Sequence, residues 1–175
     1  MNTQIFEWLG KDDAGVGYHL HALHLVWSEA GPDHDVAVFR AAAEQLAAVP
    51  AYWAEILLAE NWRFTLAGLT CLLASGRREF RVELEERLAA GSYVAPQLAV
   101  ALGLLHGAAA TERLAGIATS PTASPEVKWS AAAVLRKLRG EVPATAASPE
   151  EQAVTEAVER HWAFWAPRLQ TSAAI

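Results

Sequence analysis

The chain has 175 residues, enough for one domain with a full core, and 53% of them are hydrophobic, which excludes an intrinsically disordered chain. A single cysteine, Cys71, excludes an internal disulfide. The net charge of −6 disfavours nucleic acid as a partner, because phosphate binding needs a positive excess.

Ala and Leu dominate, Gly and Pro fall between apolar blocks, and strand-like runs of Val, Ile and Thr are missing. The composition predicts an all-α domain of eight or nine helices. A short helix is expected over residues 3–9 and a longer one over 16–30, stopped by Gly31–Pro32. The next starts behind Asp33 and runs to 49, where Pro50 stops it, and another covers 51–59. Asn61 is a good N-cap for a helix that ends near Ser75–Gly76. Helices over 77–90, ending at Gly91, and from Ser92 to 105 follow, with a short one at 109–118. "SPE" then supplies Ser124 as N-cap and Pro125 at the first helical position. After "GEVPATAA", which reads as a linker, "SPEE" opens the last helix with Ser148 and Glu151 at capping-box spacing. That helix ends near residue 170, and the tail beyond it is expected to fray.

No basic region precedes an apolar run at the N-terminus, and the longest apolar block, "YVAPQLAVALGLL", is too short to cross a bilayer. The expectation is a cytoplasmic protein with no membrane partner. Cys71, among Leu69, Leu72 and Leu73, reads as a buried and inert thiol.

Charge is unevenly distributed. Residues 1–60 carry nine acids against Lys11 and Arg40, whereas 61–140 carry ten bases against six acids and 141–175 five acids against two bases. A surface polarised in this way can steer a charged partner.

Three blocks align without gaps: "LAGLTCLL" (66–73), "LAVALGLL" (98–105) and "AAAVLRKL" (131–138), at offsets of 32 and 33 residues. Each is preceded by a cap: Asn61, Ser92 or Ser124. The helices carrying the first two blocks are apolar nearly all round, the mark of elements buried between neighbours. The 77–90 helix differs, with a narrow stripe of Phe80, Leu84 and Leu88 and a Glu83–Arg87 pair on its charged side. Stacked pairs with buried central helices build a continuous core.

With "NWRFTLAGL" and "GSYVAPQLAVALGLL", these blocks make the sequence resemble the HEAT-like, or armadillo-type, helical repeat superfamily and its short bacterial members. The resemblance implies a right-handed α-solenoid-like stack of antiparallel helix pairs. It places one domain over 1–175, with flanking helices in 16–60, repeats in 61–140 and a capping helix at 148–170. It specifies fold rather than chemistry.

"YHLHALHLVW" holds three of the six histidines. On a helical wheel His19 falls beside Leu20, Leu23, Val26 and Trp27, while His21 and His24 face the opposite, solvent side. The three imidazoles do not converge, and an i, i+3 pair is too few ligands for zinc. Asp33, His34 and Asp35 could approach across the Gly31–Pro32 turn. No metal or other cofactor is expected. Glycine-rich phosphate loops and nucleophile elbows are absent, so no catalytic residue is assigned. His161, in the apolar arc of the last helix, reads as a hydrogen-bonded core histidine.

The function these features imply is that of a non-enzymatic protein-binding module, of immunity or adaptor type, whose acidic surface occludes a basic partner such as a toxin or nuclease. Partner contacts are expected at Asp33, Asp35, Trp53, Glu55, Glu60 and Trp62. Arg63 and Lys128, at related places in the repeats, could instead line a basic groove like that of HEAT-like DNA glycosylases. A third reading is a small-ligand pocket beside Trp162 and Trp165.

Overall fold

The computed structural model describes residues 3–141 and 146–172. Residues 142–145 of the expected linker and the tail at 173–175 lie outside the described residues. The described chain is all-helical: α1 (Gln4–Leu9), α2 (Tyr18–His24), α3 (Pro32–Ala47), α4 (Pro50–Leu57), α5 (Trp62–Ser75), α6 (Arg81–Ala90), α7 (Ala95–His106), α8 (Thr111–Thr119), α9 (Pro125–Arg139) and α10 (Pro149–Ser172). No strand forms among the described residues beyond a single bridge between Lys11 and Gly17.

Two helices carry the core, and their packing explains their composition. α5 touches α1, α2, α3, α4, α7 and α10, so every residue from Phe64 to Ala74 is buried. α7 lies against α5, α6, α9 and α10 and is buried from Ala95 to Gly103. A helix enclosed on all sides has no polar face to present. Close approach is needed at Gly103, where an added Cβ would stand 2.5 Å from Val134 of α9 and 2.8 Å from Trp162 of α10. α6 is the outer kind, with Leu84 and Leu88 buried. Its expected Glu83–Arg87 pair is replaced: Arg87 donates instead to the carbonyls of Gly91 (2.8 Å) and Glu60 (3.2 Å).

The helix ends follow local chemistry. Asn61 accepts from the Arg63 N–H at 3.1 Å and Ser124 from the Val127 N–H at 3.4 Å. Ser148 accepts from the Glu151 N–H at 3.2 Å, while the Glu151 carboxylate reaches back to the Ala147 N–H at 2.8 Å, a capping box shifted by one residue. Gly76 ends α5 at φ 69°, a left-handed conformation glycine adopts without a Cβ clash.

Several boundaries depart from expectation: α3 starts at Pro32 with Gly31 rather than Asp33 as its N-cap, and α7 starts at Ala95 behind Val94 rather than behind Ser92. α6 begins at Arg81 rather than 77, because Phe80 turns to stack on Trp53 at 5.2 Å. α2 stops at His24 rather than 30, since Leu25 takes up the left-handed region at φ 54°. A leucine there is uncommon, and its cause lies in the site described next.

Candidate functional site

The loop between α1 and α2 is organised by Asp12. Its N–H donates to the Val16 carbonyl at 2.9 Å, and its Oδ1 accepts from the Val16 N–H at 2.8 Å. Oδ2 faces His21 Nε2 at 2.9 Å, and the other ring nitrogen, Nδ1, lies 2.7 Å from the Val26 carbonyl. A backbone carbonyl and an ionised carboxylate can only accept, so both ring nitrogens of His21 face acceptors. The Val16 amide does most to hold the Asp12 carboxyl below its ordinary range; burial opposes it, and His21 adds to it. His21 therefore ties the loop to the chain beyond α2 and holds that chain in its turn at Leu25.

The second link crosses the Gly31–Pro32 turn. Asp35 is wholly buried and accepts from the Ser28 N–H at 2.9 Å and from the Ser28 hydroxyl. The Tyr18 phenol oxygen lies 3.3 Å from His34 Nε2, and its ring meets His21 edge-on at 5.8 Å. Burial first, then the carboxylates of Asp35, Asp12 and Asp13, push the Tyr18 phenol above its ordinary value.

These links enclose a cavity of about 510 Å³ lined by Asp12, Asp13, Tyr18, Ser28, Glu29 and His34, with Ala14 and Ala30. No Lys or Arg lines it. Asp12 is committed to Val16 and His21, but the carboxylates of Asp13 and Glu29 are exposed and make no hydrogen bond or ion pair among the described residues. Such a concavity favours a cation: an ammonium or guanidinium group entering it meets unpaired carboxylates and no Lys or Arg in the lining.

The histidines are redistributed relative to the wheel. His21 is buried rather than solvent-facing, because the 10–17 loop folds onto it. His24 is exposed, as expected. His19 is half-buried, with its ring 4.7 Å from Phe6. Burial does most to lower its pKa to about 4, followed by the charge of Arg63. Leu20 and Val26 are exposed, since a helix ending at His24 never forms the full apolar face. Among the described residues no three His, Cys, Asp or Glu side chains are placed to share a metal ion.

The eight residues expected to touch a partner fall in different parts of the fold. Asp35 and Trp53 are fully enclosed, the one by Ser28 and the other against Phe80, and offer a partner no surface. Their burial corrects the reading of both as contacts. Asp33 is exposed but paired at 3.0 Å with Arg168, whose guanidinium also lies 3.9 Å over the Phe164 ring. Glu55 lines a separate hollow with Gln4 and Val49. The Glu60 side chain is exposed while its carbonyl holds Arg87. Arg63 covers the Trp62 ring at 4.6 Å, beside exposed Tyr93, and Lys128 is half-buried on α9. Trp165 is buried and Trp162 packs at Gly103, so neither forms the open pocket expected there. Cys71 is buried, which pushes its thiol up.

The cavity residues Asp12, Asp13, Tyr18, Ser28 and Glu29 were missed by the sequence reading. The one signal that could have found them is "KDDAGVG", whose Asp and Gly residues suit a tight turn beside the histidine stretch.

Compared with family models, curated proteins and solved structures, the chain has no match. Among the described residues no helix is long and apolar enough to cross a membrane.

Proposed function

We propose that this chain is a non-enzymatic, HEAT-like protein-binding module that docks a basic partner protein against its acidic N-terminal cavity. Within that class it acts as a bacterial immunity-type or adaptor protein in the cytoplasm, covering a basic toxin-like or nuclease-like surface. One observation carries the reading: an open cavity of about 510 Å³ presents the unpaired carboxylates of Asp13 and Glu29 and no Lys or Arg. A partner's Lys or Arg side chain inserted there gains charge-assisted hydrogen bonds, the stronger class. The HEAT-like part rests on the three aligned blocks, which fall within α5, α7 and α9, and on the contacts of α7 with both of the others.

The test is retention of a stoichiometric basic protein by the tagged chain from native lysate, with the product of a neighbouring gene tried first. Retention that weakens with salt and is lost in an Asp13→Asn/Glu29→Gln double variant supports the reading. Retention that the double variant leaves intact overturns the role of the cavity, and no retained protein overturns the binding module.

A second reading, nucleic-acid binding, draws on the Arg63 guanidinium over Trp62 beside exposed Tyr93. Aromatic and cationic groups together suit a single strand. A gel shift with DNA tests it, and no shift at low salt removes it.

A further inference from the structure

A second cavity, of about 300 Å³, lies where the end of α2 and the start of α7 meet the first half of α10. That volume is at the small end of the range for small-molecule sites, about 300–1,000 Å³. Leu23, Pro96 and Val154 give it an apolar wall, and Tyr93, 61% exposed, stands at its rim.

Two charged side chains of its lining are unspent. Glu126, in the first turn of α9, and Arg160, on α10, bring opposite charges to the cavity. Neither side chain makes a hydrogen bond or ion pair among the described residues. Burial raises the Glu126 carboxyl above its ordinary value, and no cation offsets that.

His24, exposed at the end of α2, also lines the cavity, and Gln97 is a fourth polar group, 6% exposed. Its amide nitrogen lies 3.0 Å from the Leu23 carbonyl and 3.1 Å from His161 Nε2. The Leu23 carbonyl can only accept, so the amide cannot be turned round: the nitrogen must face it. The amide oxygen, Oε1, is thereby directed elsewhere, and it is buried without a hydrogen-bond partner. A buried acceptor left unpaired is destabilising, and a donor supplied by a ligand would relieve it.

We propose that this cavity binds a free α-amino acid with an apolar side chain. The ammonium group donates to the Glu126 carboxylate and to Gln97 Oε1. The carboxylate pairs with Arg160, and the side chain lies against Leu23, Pro96 and Val154. Two unpaired charges of opposite sign in so small a space suit a zwitterion. A simple amine leaves Arg160 unused, and a simple acid sets a negative charge against Glu126. The site is separate from the acidic cavity and does not depend on the binding-module reading.

Titration of the full chain with L-leucine, followed by NMR shifts of the Gln97 side-chain amide and the Tyr93 ring, tests this. Isopentylamine and isocaproate serve as the two half-ligands. Saturable shifts with leucine are expected, with weaker binding of each half-ligand. Glu126→Gln and Arg160→Gln should each weaken leucine about tenfold, the loss of one charge-assisted contact. Neither side chain is in the core, and unchanged circular dichroism of both variants shows that the fold is kept. No saturable shift with leucine, valine or methionine overturns the proposal. So does leucine binding that both variants leave unchanged, or isopentylamine binding as tightly as leucine.

Discussion

The N-terminal third and the repeat-bearing region of this chain are held together by different forces. In residues 62–139 the central helices α5 and α7 are buried on nearly every face, and their neighbours approach closely enough to require glycine at position 103. In residues 10–35 the helices are short or just beginning, and specific polar side chains set the path. Asp12 holds the loop, His21 bridges it to Val26, and Asp35 holds Ser28. Apolar burial tolerates many sequences of the right pattern. A buried polar link needs its particular partner, and losing one member leaves the other unsatisfied.

This contrast can be broken or sharpened by measurement. The largest effect is expected for Leu102→Ala, which opens a cavity around a wholly buried side chain of α7 and should cost about 2–5 kcal/mol in urea unfolding. A cost below that of the polar substitutions would reverse the comparison.

A pH effect comes next. Burial does most to lower the pKa of His161 to about 4 in the folded chain, against 6.5 ordinarily; the Leu23 carbonyl opposes this, and Arg160 and His24 add to it. The unfolded chain therefore binds the proton more readily. This contribution to stability is complete above pH 6.5 and is lost as the pH falls from 6.5 toward 4, by at most about 3 kcal/mol. Unfolding free energy measured across that window should fall with a slope that His161→Gln reduces.

Asp35→Ala should cost less, about 1–3 kcal/mol, by leaving the Ser28 N–H unpaired in a buried place. Hydrogen exchange should show faster opening at Ser28 with α7 still protected, and uniform loss of protection would mean that the two regions are not distinct. The smallest effect is expected for Asp33→Asn. Its carboxylate is 92% exposed, and breaking its pair with Arg168 should cost no more than about 1 kcal/mol by thermal unfolding.

The sequence by itself determined what depends on pattern. The all-α class, the caps at Asn61, Ser124 and Ser148, the buried blocks of α5 and α7, the stripe of Leu84 and Leu88, and the enclosed His161 were legible because periodicity and capping are local. The candidate site was legible only in outline: the histidine stretch and "DHD" do meet across Gly31–Pro32, but through Tyr18, Ser28 and Asp12, which carried no periodic signal. Only the tertiary structure decided that His21 turns inward, that α2 ends at His24, and that Trp53 and Asp35 are enclosed. Each of these depends on a residue from another segment: Asp12 beside His21, Phe80 on Trp53, Ser28 on Asp35. A helical wheel describes one helix in isolation, and long-range partners decide which of its faces water reaches.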